Sequence, residues 1–153
     1  MSEQLKKLRF VRRPLPIFPE HRPLYKIAQI LLILQLASWG AKSTLPRLQL
    51  LNWALKTDSR QKRLLDCVRQ KKLTIAAWGF DPVMAIALRF AEAEKLVATT
   101  STGYQLTETG KKFAREICKE DDNLASEREF LTAIGKSLTE AMVTTVSDKW
   151  GEV

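Results

Sequence analysis

The chain has 153 residues, which is enough for one well-buried core with appendages but too few for two ordinary domains. Apolar residues make up 45% of the chain and charged residues 27%, a composition typical of soluble globular proteins. The formal net charge is +8: residues 1–72 hold sixteen Lys and Arg against four acidic residues, whereas residues 73–153 hold nine against thirteen. This asymmetry favours a polyanion or an acidic protein as the partner of the basic half.

Membrane insertion and secretion are not expected. The longest apolar run, at residues 27–37, is interrupted by Gln29 and Gln35 and is too short to cross a bilayer. The basic N-terminus is not followed by an apolar run with a cleavage site, so we predict no secretory signal. Cys67 and Cys118 match no metal-binding or redox spacing, and we interpret them as free thiols in a reducing cytoplasm.

Residues 1–22 form a basic N-terminal arm. Pro14, Pro16 and Pro19 prevent a continuous helix there and favour an extended path. Large apolar side chains, among them Phe10 and Phe18, are interleaved with the cations, which is unusual for a purely disordered tail. Two interpretations stay open: the arm is a solvated tail that lies partly on its own core, or it docks on a partner chain or on phosphates.

The next segment predicts a helix that begins at Pro23 and closes at Gly40 in a left-handed conformation. This helix is apolar almost all round, so we expect it to be central to a core or covered by a second subunit. Ser43 or Thr44 would then cap a second helix, in which leucines and Trp53 face inward.

A third helix, starting at Asp58 or Ser59, has a strongly basic exposed face. Cations on such a face contact DNA phosphates without sequence specificity. A solvated basic face and docking on an acidic protein surface are the alternatives. The candidate DNA-backbone contacts are Arg60, Lys62, Arg63, Arg69, Lys71 and Lys72.

Residues 81–114 read as helix, strand, tight turn, strand and helix. Asp81 is a good N-cap, Pro82 suits the first helical position, and Thr107 caps the last helix. A short strand at residues 73–75 would join the two strands that flank the turn. We therefore predict a mostly α fold, a winged helix-turn-helix at residues 23–119 with a short two- or three-stranded wing.

The helix and wing of this segment are poor in cations. The helix, predicted to run from Asp81 to Lys95, offers only Arg89 and Lys95 against three acidic residues, and the tip at residues 99–103 has no cation. Reading a major groove requires cations and amides aimed at phosphates and base edges. We therefore interpret the wing as a scaffold or docking surface rather than as a DNA reader.

Residues 120–153 comprise a polar linker and one amphipathic helix at residues 126–150. Ser126 and Glu129 are predicted to form a capping box at its start. The helix would pack on its own domain or, as the alternative, form a subunit interface. The candidate partner-contact residues, taken from the arm and from this helix, are Phe10, Phe18, Leu131, Ile134, Leu138 and Met142.

Catalysis is not expected from these residues. His21, the one histidine, lies in the proline-containing arm, so a histidine-based triad or dyad is improbable. The six glycines are scattered rather than grouped in a phosphate-binding loop, and no residues have zinc-site spacing. We predict no enzyme, no cofactor and no metal ion, and we interpret the acidic residues 120–122 as a solvated linker.

Four runs of sequence carry a family resemblance: RPLYKIAQILLIL at 22–34, LQLLNWALK at 48–56, WGFDPVMAIALRFAEAEKLV at 78–97 and YQLTETGKKFA at 104–114. Together they resemble the small middle-component subunits of bacterial ABC three-component systems, which include the small accessory subunit of Lamassu-type anti-phage defence. The resemblance covers residues 22–117, and the arm and the C-terminal helix lie outside it.

The resemblance implies a non-catalytic bridging subunit that sits with an SMC/Rad50-like ABC ATPase and with an effector, often a nuclease. The ATPase would sense invading phage or plasmid DNA and control the effector, so ATP, magnesium and nuclease chemistry would belong to those partners. The cation-poor wing agrees with this role, because accessory subunits of this kind commonly use the winged face for protein contact. The alternative function is a winged-helix transcriptional regulator, dimerised through the C-terminal helix, that binds a pseudo-palindromic DNA site.

Overall fold

The chain is mostly helical and contains one small antiparallel sheet. The computed structural model describes residues 23–119 and 124–151, so Phe10, Phe18 and the acidic residues 120–122 lie outside the described residues. The elements are α1 (Pro23–Leu36), a 3₁₀ helix (Trp39–Ala41), β1 (Lys42–Thr44), α2 (Leu45–Leu55), α3 (Asp58–Arg69), α4 (Pro82–Ala93), β2 (Val97–Thr99), β3 (Gly103–Leu106), α5 (Glu108–Lys119), α6 (Ala125–Ile134), α7 (Glu140–Ser147) and a 3₁₀ helix (Asp148–Gly151).

Helix α1 is the centre of the core, as its apolar sequence predicts. Its residues 30–34 are all almost completely buried, and it packs against α2, α4, α5 and α6. The helix begins at Pro23 as predicted but ends at Leu36, four residues before Gly40. Gly40 does adopt the left-handed conformation, with φ 64°, but inside the following 3₁₀ helix.

The sheet has the order β1-β3-β2, with both pairs antiparallel. The predicted strand at residues 73–75 is wrong: Lys42–Thr44 supplies the third strand, and Leu73 and Ile75 are buried in the core without forming a strand. Gly103 allows the close pairing of β3 with β1, because a Cβ atom there would lie 2.1 Å from the carbonyl oxygen of Ser43.

Helices α2 and α3 differ in burial. Leucines at residues 48, 50 and 51 are completely buried, so α2 is enclosed on more than one side. Helix α3 starts at Asp58, one of the two predicted positions, and Thr57 Oγ1 caps it by accepting the Arg60 N–H at 3.1 Å. It buries a narrow stripe that includes Leu64 and Cys67, and the opposite side faces water.

The caps predicted around the two-stranded hairpin are confirmed. Asp81 Oδ1 accepts the Val83 N–H at 3.0 Å at the start of α4, and Pro82 occupies the first turn. Thr107 Oγ1 accepts the Gly110 N–H at 3.0 Å at the start of α5. Local cap chemistry therefore places both ends of the segment that carries β2 and β3.

The single C-terminal helix predicted at residues 126–150 is wrong, because Gly135, with φ 51° and ψ −132°, ends α6 and a separate helix α7 follows. The predicted capping box is also wrong, since α6 already begins at Ala125 and Leu124 precedes it as the cap residue without a side-chain cap hydrogen bond. Both helices add residues such as Phe130 and Val143 to the core that contains α1, so packing on their own domain is confirmed.

The state of the two cysteines and the lengths of the helices can be compared directly with the predictions. Cys67 and Cys118 are both free, as predicted. Burial raises the pKa of the Cys118 thiol, and the charge of Arg128 opposes that rise only in part. In the two described stretches, no helix has the length and apolar character needed to cross a membrane.

Candidate functional site

The predicted DNA-contacting cations lie along α3 and in the turn after it. Lys71 has φ 57°, and its N–H donates to the carbonyl oxygen of Val68 at 3.2 Å, while the Lys72 N–H donates to that of Cys67 at 3.0 Å. These two bonds form a Schellman turn, which places both lysines at the C-terminal end of α3, where cations favour the helix dipole. Four exposed cations constitute what we call the basic surface: Lys62, Arg63, Lys71 and Lys72.

The two remaining arginines of α3 are held by neighbours. The guanidinium carbon of Arg60 lies 4.8 Å from the centroid of the Trp53 ring, and its Nη1 donates to the Trp53 carbonyl oxygen at 3.3 Å. Arg69 Nη1 lies 3.4 Å from Asp66 Oδ1 in an exposed ion pair. We therefore expect the basic surface to contribute more to any phosphate contact than Arg60 and Arg69 do.

Helix α4 exposes apolar side chains where a DNA-reading helix would expose cations. Ile86 is 46% exposed and Phe90 is 51% exposed, and their spacing of four residues places them on one face. Its buried side consists of Met84, Ala87, Leu88 and Ala91. We call Ile86 and Phe90 the α4 apolar pair. The periodicity of the sequence could not show which side of α4 is buried and which is exposed, because both sides carry apolar residues.

The loop between β2 and β3 is closed by its own hydroxyl and backbone groups. Thr100 N–H donates to the carbonyl oxygen of Gly103 at 2.8 Å, and Thr100 Oγ1 accepts the Gly103 N–H at 2.9 Å. Nearby, Thr99 Oγ1 donates to a carboxylate oxygen of Glu92 on α4. The hairpin loop therefore presents hydroxyl groups without a cation and has an acidic neighbour, so it lacks the positive charge that supplies most of the affinity for DNA phosphates.

The partner contacts predicted on the C-terminal helix need correction. Leu131, Ile134 and Leu138 are buried in the chain's own core, and Met142 packs partly against it. The apolar side chains that gave this periodicity pack inside the chain itself. Leu131, Ile134 and Leu138 therefore expose almost no surface that a partner could contact. The other two predicted contacts, Phe10 and Phe18, lie outside the described residues.

A groove of about 380 Å³ lies between the start of α2, the loop before α4 and Trp150. We call it the aromatic groove. Trp78 and Trp150 meet edge to face in it, with ring centroids 4.6 Å apart, and Phe80 is 62% exposed at its side. The Trp-Gly-Phe run at residues 78–80 is the signal in the sequence that something covers or fills this segment.

Asp81 joins the groove to α1 through a buried polar network. Its backbone N–H donates to Gln49 Oε1 at 3.1 Å, and its carboxylate accepts from Asn52 Nδ2 at 3.0 Å. Lys56 Nζ lies 3.2 Å from the same carboxylate, and Lys26 Nζ lies 3.9 Å from it. The network ties α1, α2 and α4 together beside the groove.

The pKa of Asp81 reflects this network. Burial by itself raises the pKa of the carboxyl group. The hydrogen bonds that it accepts from Asn52, Lys56 and the Val83 N–H, together with the charge of Lys56, outweigh burial and lower the pKa below its ordinary value. Asp81 is therefore a charged structural residue with a full set of partners, and it offers no proton for catalysis near neutral pH.

A second cavity, of about 370 Å³, lies between β1, the hairpin loop and the loop that joins α6 to α7. Lys136 Nζ lies 4.4 Å from the centroid of the Trp39 ring at this cavity. Glu140 accepts hydrogen bonds from the Thr44 N–H at 3.0 Å and from Thr44 Oγ1 at 2.7 Å. Three cations, Lys42, Arg47 and Lys136, line this cavity against one carboxylate, Glu140, so its described lining carries a formal net charge of +2.

Comparisons with known proteins do not assign the chain to a family. No family model matches it, and no curated protein or solved structure is detectably similar to it. Among residues 23–119 and 124–151, no three His, Cys, Asp or Glu side chains lie together in a group that could hold a metal ion. The function has to be inferred from the basic surface, the α4 apolar pair and the aromatic groove.

Proposed function

We propose that this chain is a non-catalytic accessory subunit that bridges an SMC/Rad50-like ABC ATPase and an effector, such as a nuclease, in defence against phage or plasmid DNA. The observation that carries the proposal is the α4 apolar pair, Ile86 and Phe90, which is about half exposed. Exposed aromatic and aliphatic side chains on one helical face are typical anchors of protein interfaces.

The order of the elements supports a winged helix-turn-helix with α4 at the position of the recognition helix. Helix α4 directly precedes the β2–β3 hairpin, and the sheet order β1-β3-β2 joins the hairpin to a strand that follows α1. In a DNA reader, the exposed face of that helix carries Arg, Lys, Asn or Gln. Helix α4 has Arg89 as its basic side chain and exposes Ile86 and Phe90 beside it.

The energy available from this pair suits protein docking. Completing the burial of a half-exposed Ile or Phe contributes about 1 kcal/mol or more for each side chain, since burial of the whole side chain contributes about 1.5–3 kcal/mol. Additional contacts around the pair would be needed for stable association, because binding also costs translational and side-chain entropy. A partner that covers α4 and the hairpin together would supply them.

The family resemblance of residues 22–117 supplies the identity of the proposed partner, an SMC/Rad50-like ATPase. The basic surface on α3 supports a second, sequence-independent contact with double-stranded DNA inside the complex. ATP hydrolysis and DNA cleavage would remain with the partner proteins.

A transcriptional regulator dimerised through the C-terminal helix is less well supported. Its dimer would need Leu131, Ile134 and Leu138 on a free surface, and these side chains are buried in the chain's own core. Its recognition helix would be α4, which presents an apolar pair in place of base-reading groups.

The experiment that tests the proposal is co-expression of the chain with an SMC/Rad50-like ATPase from the same organism, followed by affinity purification. We expect the unmodified chain to co-purify with the ATPase, and the double variant Ile86→Glu and Phe90→Glu to lose most of that association. The matched control is Phe80→Glu, since Phe80 is 62% exposed and lines the aromatic groove rather than α4 or the hairpin. A chain that stays alone beside the ATPase, or a double variant that binds as well as the control, would overturn the proposal.

A further inference from the structure

The aromatic groove has the chemistry of a binding site for an uncharged, apolar chain segment. It is lined by apolar and aromatic side chains, chiefly Leu45, Pro46, Trp78, Phe80 and Trp150, and none of its described lining residues is ionisable. A lining of this kind does not select phosphates or charged peptides, because nothing in it compensates a charge. Its volume of about 380 Å³ suits a few apolar side chains.

One buried polar group of the groove has no hydrogen-bond partner in the part of the chain that the structure describes. Gln49 is 5% exposed and lines the groove, and its Oε1 accepts the Asp81 N–H at 3.1 Å. That bond orients the amide, so Nε2 is the donor on the other side, and Nε2 has no hydrogen-bond partner among the described residues. Buried donors are nearly always satisfied in native proteins, so the amide indicates a ligand that carries an acceptor.

The other donors of the groove are already used. Trp78 Nε1 donates to the carbonyl oxygen of Pro46 at 2.9 Å, and Trp150 Nε1 donates to that of Ala76 at 2.9 Å. A ligand therefore needs one carbonyl acceptor for Gln49 and few donors of its own. A proline-rich segment fits this requirement, because proline has no N–H and holds the chain extended, and such segments bind aromatic-lined grooves.

The chain itself contains a segment with these properties. Residues 14–19 read PLPIFP, with three prolines, three large apolar side chains and no charge, and Arg13 and Glu20 flank it. Its charged flanks would stay in water while the apolar centre enters the groove. Its carbonyl groups supply the acceptor that Gln49 Nε2 lacks.

The connection between this segment and α1 is short in sequence. Residues 1–22 precede α1, and Lys26 in the first turns of α1 lies 3.9 Å from the Asp81 carboxylate, measured from Nζ to Oδ2. Asp81 is in turn bonded to Gln49 and follows Phe80 in the chain. Position 19 lies four residues before Pro23 in the sequence, and an extended chain spans about 3.5 Å per residue, so this connection spans at most about 14 Å. The first turns of α1 thus contact, through the Lys26 side chain, the polar network that lies beside the groove.

We propose that the aromatic groove binds the chain's own residues 14–19, with a backbone carbonyl of this segment accepting a hydrogen bond from Gln49 Nε2. The interaction is independent of the proposed ATPase partner.

Photo-crosslinking in the full chain tests this proposal. The photoreactive analogue p-benzoylphenylalanine is placed at Phe18, the chain is irradiated at low concentration, and the crosslinked peptides are mapped by mass spectrometry. We expect intramolecular crosslinks to residues 77–80 or to Trp150. The same probe at Phe10, outside residues 14–19, should give few crosslinks to the groove.

A matched pair of surface variants shows whether the groove itself holds the segment. Phe80→Asp should lower the crosslink yield at Phe18 by about tenfold, because it places a charge at the side of an apolar site. Phe90→Asp, at a similarly exposed phenylalanine on α4, should leave the yield unchanged. Both positions are exposed, so neither variant threatens folding.

Three results would overturn the proposal. The first is a set of Phe18 crosslinks that map outside the groove, or no Phe18 crosslinks at all. The second is crosslinking between isotopically light and heavy chains in a mixture, which would assign the site to a second copy. The third is a yield that does not respond to Phe80→Asp.

Discussion

Arg47 Nε donates a hydrogen bond to the carbonyl oxygen of Leu138 at 2.8 Å, and this contact joins α2 to the loop between α6 and α7. The same guanidinium donates to Ser38 Oγ at 2.9 Å and to the carbonyl oxygen of Ala37. Arg47 is 2% exposed, and desolvation lowers its pKa to about 10, although the nearby Glu140 acts to raise it. One buried side chain thus connects the end of α1, the helix α2 and the C-terminal segment.

The first prediction concerns this arginine. Arg47→Met should lower the free energy of unfolding by about 2–4 kcal/mol, because two buried carbonyl groups lose a donor. Arg47→Lys should recover little of that loss, since an ammonium group cannot reproduce the fork of donors. Urea unfolding at pH 7 measures both values. The control is Arg89→Met on the exposed face of α4, which we expect to stay within about 0.5 kcal/mol of the unmodified chain. Equal losses at the two positions would contradict the assignment.

The second prediction concerns Asp81, which caps α4 and pairs with Lys56. Asp81→Ala should cost about 1–2 kcal/mol for the lost cap alone, with a further loss from the ion pair. Asp81→Asn should cost less, because asparagine caps a helix as well as aspartate does. The difference between the Ala and Asn variants in urea unfolding isolates the cap.

The pH dependence of the Asn variant isolates the charge. Because the folded-state pKa of Asp81 is lowered from its ordinary value of 3.8, the carboxylate stabilises the fold above that value. This contribution is lost as the pH falls through the lower folded-state pKa. The stability gap between the unmodified chain and Asp81→Asn should therefore shrink on going from pH 7 to pH 3. A gap that is the same at both pH values would show that the ion pair contributes nothing.

Local chemistry could be predicted from the sequence, and long-range pairing could not. The caps at Asp81 and Thr107 depend on side chains within three residues of the helix start, so their positions were readable. The strand Lys42–Thr44 pairs with residues about sixty positions later, and its three residues carry no pattern that distinguishes it from a cap. Residues 73–75 have a higher β-propensity than Lys42–Thr44. Their apolar side chains, Leu73 and Ile75, are nevertheless buried in the core without strand pairing.

The candidate functional surfaces could be predicted from the sequence only in part, for the same reason. The cations of α3 could be counted along the chain, but the stacking of Arg60 on Trp53 depends on the angle between two helices. Leu138 continues the three- and four-residue spacing of the apolar residues of α6, although that helix ends before Gly135. The spacing alone therefore predicted one helix where the structure has two. The aromatic groove combines Pro46, Trp78 and Trp150, and nothing in a linear sequence indicates that these three meet.

The third prediction concerns Gly110 in α5. Alanine inside a helix is normally favoured over glycine by about 1 kcal/mol. Here a Cβ atom would lie 2.0 Å from the carbonyl oxygen of Leu96, so Gly110→Ala should instead destabilise the fold by about 3 kcal/mol. The control is Gly79→Ala, where φ is +74° but no atom lies within 4 Å, and the cost should be about 1–2 kcal/mol of backbone strain. Thermal unfolding followed by circular dichroism compares the two, and a smaller loss at position 110 than at position 79 would refute the close packing of α5 on residue 96.

The fourth prediction concerns DNA binding by the basic surface. The affinity of a protein for duplex DNA falls with salt, and the slope of log affinity against log salt changes by about 0.9 for each phosphate that the protein no longer neutralises. Changing Lys62, Arg63, Lys71 and Lys72 to Glu should therefore reduce the slope by about 3–4 if each of them binds a phosphate. Fluorescence anisotropy with a labelled duplex of arbitrary sequence, at several salt concentrations, measures the slope.

A matched control separates the basic surface from net charge. Lys112 and Arg115 are exposed on α5, in the acidic half of the chain, and their change to Glu alters the net charge without touching α3. We expect this pair to leave the slope nearly unchanged, because distant charges are screened within about 10 Å at 0.1 M salt. If the control lowers the slope as much per charge as the α3 variants do, DNA responds to overall charge and the basic surface is not a binding site. If the α3 variants leave the slope unchanged, α3 is better explained as a docking face for an acidic protein.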